Sequence, residues 1–139
     1  VASENAIFAL PEPRVGLAAL AGGVHRLPRA IPLKRAMGMM LTGGRVSAAE
    51  GEKLGFVNET TPVGGALDGA KRWAAKIMEC SPMSIRATKQ ASMRGLSMPT
   101  LQDAIETSYP AVRALAASED YIEGPKAFAE KRAPNWKGR

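Results

Sequence analysis

Proline and glycine punctuate this chain so often that none of its elements can be long. Pro11 and Pro13, Gly22 and Gly23, Pro32, Gly43 and Gly44, Gly55, Gly64 and Gly65, Pro82, Gly95 and Pro110 each interrupt an apolar stretch. Proline fixes its own φ and lacks a donor, and glycine favours turns and helix ends, so the sequence must fold as a series of short elements. Between the breaks, 24 alanines and seven methionines stand against seven aromatic residues. That balance describes a core of small and flexible side chains, as in close-packed helices. With 139 residues the chain has the size of one compact domain.

From Ala2 to Leu10 the apolar residues Ala6, Phe8 and Leu10 alternate, which predicts a strand ending at Pro11. Val24–Ile31 and Leu33–Leu41 read as two helical pieces separated by Pro32. Ser47 and Glu50 have the spacing of a capping box opening a brief helix to Leu54, and Phe56–Val57 reads as a short strand. A helix over Ala66–Glu79 places Ala70, Trp73, Ala74 and Ile77 on one face. Ser81 followed by Pro82 opens a helix to about Arg94. Another begins near Thr100, and Pro110 should kink or split it. A last helix covers roughly Tyr121–Arg132, ahead of a polar tail from Ala133 to Arg139. The fold class is therefore mostly α with a short β start.

Composition excludes several functions. Cys80 is the only cysteine and His25 the only histidine, so an intramolecular disulfide, a structural zinc site and a histidine-based triad all lack partners within the chain. No metal is expected, and a reducing, cytoplasmic setting is. The longest weakly polar run, Gly16–Val24, is too short to cross a bilayer, so no membrane span is expected. The 19 Lys and Arg outnumber the 13 Asp and Glu, for a net charge of +6. Arg14, Arg26, Arg29, Lys34, Arg35 and Arg45 all fall between Glu12 and Glu50, a span without acidic residues. Subunit contacts suit this run better than a phosphate surface, and nucleic acid is a poor partner because no aromatic ring is interleaved for base stacking.

Three features could carry chemistry. Glu12, locked between Pro11 and Pro13 beside the glycine-rich Gly16–Gly23 stretch, is a carboxylate on a stiff corner. It could be desolvated enough to act as a general acid or base, or it could be a surface acid paired with Arg14. The basic run is the second feature. The third is Phe128 with Lys131, three residues apart on the last predicted helix, offering a ring and an ammonium to one ligand. A solvated helix end is the alternative there.

Read in order, Ala6-Ile7-Phe8-Ala9-Leu10-Pro11-Glu12, Gly16, Ala21-Gly22-Gly23, Arg26-Leu27-Pro28-Arg29, Ala36–Gly43, Val46–Val57 and Ala127–Arg132 resemble the enoyl-CoA hydratase/isomerase (crotonase) superfamily. The resemblance covers the whole chain but only the second half of such enzymes. It implies the C-terminal part of the ββα superhelix fold with its helical trimerisation region: residues 1–64 as the end of the core and 65–139 as the assembly region. It implies that Glu12 exchanges the proton at the substrate α-carbon, and that Phe128 and Lys131 help hold coenzyme A. It also implies that the backbone N–H groups polarising the thioester lie upstream, so this chain alone is expected to be inactive. Leu20 stands where many hydratases have a glycine that helps place water, which makes it a candidate substrate-binding residue. The resulting expectation is an enoyl-CoA hydratase-like lyase acting on acyl-CoA, with no cofactor beyond the coenzyme A of the substrate. It should form a homo-oligomer, a trimer or a dimer of trimers. Double-bond isomerisation and a non-catalytic helical oligomerisation module are the alternatives.

Overall fold

The computed structural model describes all residues from Val1 to Arg139. Eight short helices dominate, with four two-residue strands. The chain divides into two compact units, Val1–Arg72 and Trp73–Arg139, and each is taken by itself.

In the first unit, β1 (Ala2–Ser3) pairs in parallel with β4 (Thr60–Thr61), and β2 (Ile7–Phe8) pairs antiparallel with β3 (Val46–Ser47), Phe8 opposite Val46. Glu12–Val15 forms a 3-10 turn, followed by α1 (Gly23–Ala30), α2 (Leu33–Thr42) and α3 (Ala48–Leu54). The single strand expected over Ala2–Leu10 is two strands, because the Ala6 amide turns back onto the Ser3 carbonyl at 2.8 Å. Its alternation nevertheless holds: Ala6, Phe8 and Leu10 are partly buried, while Ile7 and Ala9 are exposed. The strand expected at Phe56–Val57 is absent. The amides of Gly55, Phe56 and Val57 all converge on the Gly51 carbonyl at 3.0–3.2 Å, leaving none for a ladder.

Two small apolar clusters hold this unit. Ile31, Ala36, Met39 and Val46 form one, and Ala2, Ala48 and Val57 the other. Phe56 packs against both and meets the Phe8 ring edge-on, with centroids 5.1 Å apart. Gly51 lies so close beneath that a Cβ there would sit 2.8 Å from the Phe56 ring. The capping box is formed: the Glu50 amide donates to the Ser47 hydroxyl, and the Ser47 amide donates to the Glu50 carboxylate.

The second unit begins inside α4 (Ala66–Met78) and continues through α5 (Pro82–Gly95), α6 (Leu101–Glu106), α7 (Pro110–Ala116) and α8 (Glu119–Ala129). Ser81, Thr100 and Ser118 cap α5, α6 and α8 through their side chains. Pro110 splits the helix expected from Thr100 into α6 and α7, since its ring cannot follow a preceding helical turn. Leu101 and Ile105 on α6, and Ala74 and Ile77 on α4, remain exposed.

The last helix is shorter than expected, ending at Ala129 rather than Arg132. Lys131 adopts a left-handed φ of 54° and donates its amide to the Phe128 carbonyl, while the Arg132 amide reaches back to Ala127. This is a helix-ending turn whose left-handed position normally holds glycine. The segment beyond it has no regular structure, yet it is firmly held. Asp120, 3% exposed, accepts from the Ser81 hydroxyl at 2.7 Å and from the amides of Lys137 and Gly138 at 2.7 and 3.1 Å. Glu123 accepts from the Asn135 amide, and Trp136 Nε1 donates to the Glu79 carbonyl at 2.9 Å.

Candidate functional site

Glu12 opens the 3-10 turn that follows β2 and the extended Ala9–Leu10 segment. Pro11 and Pro13 flank it, and the turn is closed by the Arg14 amide on the Pro11 carbonyl at 2.9 Å and the Leu17 amide on the Glu12 carbonyl at 3.0 Å. Gly16 ends the turn at φ 76°, a conformation that favours glycine. The Glu12 side chain is half-buried, and its Oε2 is shut off from solvent with no hydrogen-bond donor from the chain. Buried polar oxygens are ordinarily satisfied, and Glu12 Oε2 and Thr60 Oγ1 are the two side-chain atoms that depart from this.

The expected structural alternative was a pair with Arg14. Instead the Arg14 guanidinium turns away across the unit, where Nε donates to the carbonyls of Thr42 and Gly43 at 3.1 and 3.0 Å. Arg14 thus caps the C-terminus of α2, where a cation is favoured by the helix dipole. Nothing in the local sequence signals a bond that spans 28 residues.

Leu20 lies in the loop after the turn and is 74% exposed. Beside β2 an apolar recess of about 450 Å³ is lined by Phe8, Leu10, Leu27, Met39 and Phe56, with Arg26 the only charged side chain on its wall. Glu12 and Leu20 do not line it.

In the second unit, Phe128 is 87% exposed and Lys131 lies exposed just past the helix end. They do not share a helical face as the sequence suggested, because the chain has already left the helix at Lys131; they are joined by the turn itself. Arg132 anchors that turn with a forked pair to Glu123 at 2.6 and 3.0 Å and a third bond to Glu130 at 2.6 Å. The Arg132 guanidinium, with help from the Asn135 amide, holds the Glu123 carboxyl down at a pKa of about 2. At Asp120 burial pushes the pKa up, but bonds from Ser81, Lys137, Gly138 and Met83 outweigh it and the carboxyl ends below its usual value. No three His, Cys, Asp or Glu side chains gather anywhere in the chain as a metal site would need.

Comparison with known proteins identifies the family of the chain. The sequence profile of the enoyl-CoA hydratase/isomerase family matches residues 1–139. A carnitinyl-CoA dehydratase of Salmonella typhi is 39% identical, over all of this chain and 54% of its own length. Among solved structures, an enoyl-CoA hydratase from Mycobacterium marinum superposes with a TM-score of 0.89 at 36% identity, over 99% of this chain and 54% of that one. The enoyl-CoA hydratase of Bacillus anthracis gives 0.88 at 34% identity, over 99% of this chain and 53% of that one. The chain spans about half the length of the relatives it matches. With the family profile running from the first residue to the last and the fold superposing over almost the whole chain, these 139 residues belong to the enoyl-CoA hydratase/isomerase family.

Proposed function

We propose that the full-length protein adds water across the 2,3 double bond of an enoyl-CoA thioester, with Glu12 as general acid/base. The observation that carries this reading is the Glu12 carboxylate itself, held on a proline-stiffened turn with one oxygen buried and without a donor. Relatives named for hydratase and dehydratase activity support water as the reactant.

In this reading, two backbone N–H groups from the part of the enzyme outside these 139 residues polarise the thioester carbonyl, and negative charge develops on its oxygen as an enolate-like state forms. Glu12 gives a proton to the α-carbon, the hydroxyl of water bonds to the β-carbon, and the remaining water proton restores Glu12, assisted by an upstream glutamate. Phe128 and Lys131 hold coenzyme A, which enters as part of the substrate, so no separate cofactor takes part. The ammonium of Lys131 faces phosphate and the Phe128 ring faces the base. The exposed apolar side chains of α4 and α6 support assembly into a homotrimer or a dimer of trimers. No helix of the chain is long and apolar enough to cross a membrane, and a cytoplasmic setting fits the single cysteine, Cys80.

Replacing Glu12 by Gln in the full-length enzyme tests this directly. Hydration of crotonyl-CoA should fall by about a hundred- to ten-thousand-fold in kcat; unchanged turnover would remove Glu12 from the chemistry. The isolated 139-residue chain should show no turnover. Leu20 gives one specific reason to keep isomerisation as a second reading, since a bulky exposed residue stands where hydratases commonly place a glycine near water. Conversion of a 3-enoyl-CoA to its 2-enoyl isomer faster than hydration would favour that reading.

A further inference from the structure

We propose that Arg14 is a positioning residue for Glu12, acting through the C-terminus of α2; this rests on the reading of Glu12 as the general acid/base. The segment Thr42–Ser47 grips the Glu12 loop on both sides. Before Glu12, Phe8 on β2 pairs with Val46 on β3. After Glu12, Arg14 Nε donates to the carbonyls of Thr42 and Gly43. Only five residues separate Phe8 from Arg14 in the chain, two of them prolines, so both ends of the loop carrying the carboxylate are fixed to one short piece of backbone.

Gly43 is built for this grip. Its φ of 58° suits glycine, and a Cβ there would come within 3.0–3.1 Å of the Arg14 Cγ, Nε and Cδ. The side chain lies flat on the helix end because no Cβ stands in the way. Arg14 makes no salt bridge to Glu12, although it is only two residues away. It therefore contributes geometry without neutralising the carboxylate it steadies. A proton carrier displaced by about 1 Å can lose about a hundredfold in rate, so a device that fixes this turn reads out in kcat.

The test uses the full-length enzyme with crotonyl-CoA, comparing Arg14→Ala, Arg14→Lys, Gly43→Ala and Glu12→Gln singly, and Arg14→Ala combined with Glu12→Gln. The expected result is a fall of about ten- to a hundredfold in kcat for Arg14→Ala, with KM changed less than about twofold. Arg14→Lys should recover part of the loss through one carbonyl bond, and Gly43→Ala should lower kcat by dislodging the same side chain. In the Glu12→Gln background, Arg14→Ala should cost less than about twofold further, because no proton carrier is left to misplace. A merely structural Arg14 would instead lower activity by the same factor in both backgrounds, and that result overturns the proposal. Normal kcat in Arg14→Ala alongside an inactive Glu12→Gln also overturns it, while leaving the role of Glu12 intact. Normal kcat in Glu12→Gln overturns both. Should Arg14→Ala fail to fold, Arg14→Lys and Arg14→Gln carry the same comparison in both backgrounds.

Discussion

The two units treat their inward-turned carboxylates in opposite ways. Asp120 in the second unit is buried and fully occupied, taking the Ser81 hydroxyl and the amides of two tail residues. Glu12 in the first has a buried oxygen that nothing in the chain satisfies. The same functional group is a structural fastening in one place and has a buried oxygen without a donor in the other. The difference comes from how many donors the surrounding backbone turns towards it.

The contrast breaks most visibly if activity and stability fail to part company. Glu12→Gln in the full-length enzyme should remove nearly all turnover while leaving the melting temperature essentially unchanged, since no bond to Oε2 is lost. Asp120→Ala should do the reverse, lowering the melting temperature clearly by stranding the Ser81 hydroxyl and the Lys137 and Gly138 amides. A scan in which Glu12→Gln melts earlier than Asp120→Ala would erase the distinction.

Acid sharpens it further. Both Asp120 and Glu123 sit below their usual values when folded, so their contribution is present above the free-carboxyl range and is lost as pH falls. For Glu123 the window runs from the ordinary 4.5 down to about 2. In a Trp73→Phe background, Trp136 fluorescence should report release of the tail across that window. A signal that stays flat to pH 2 would show that the two carboxylates do not hold the tail.

Smaller effects follow from single bonds. Ser81→Ala removes both a helix cap and a donor to Asp120, and should cost about 1–2 kcal/mol in chemical denaturation. Lys131→Gly should stabilise by up to about 1 kcal/mol by relieving the left-handed backbone. It should also raise KM for the acyl-CoA if the ammonium holds the nucleotide; a gain in stability with KM unchanged would make the lysine incidental.

What could be read from sequence follows the range of each interaction. The capping box at Ser47 and Glu50, the Ser81–Pro82 start and the break at Pro110 are decided within four residues, and all three appear as expected. The misplaced strand at Phe56–Val57 fails for a local reason, three amides drawn to one Gly51 carbonyl, which hydrophobic patterning does not encode. The end of α8 was misplaced because Lys131 occupies a position where glycine would have given the signal. The fastening of the tail by Asp120 and the reach of Arg14 to α2 join residues 17 to 29 apart, beyond any local pattern. The proline-flanked corner around Glu12 was legible because Pro11 and Pro13 marked it, whereas the lack of a donor at Glu12 Oε2 was not.

The grip of Thr42–Ser47 on the Glu12 loop also has a kinetic side. Each of its bonds closes a loop of roughly thirty to forty residues, whereas the helices need only neighbours, and contacts distant in sequence form more slowly than local ones. On dilution from denaturant, helical ellipticity should therefore return ahead of the geometry at Glu12. The proline-stiffened corner should be among the last parts of the unit to assemble.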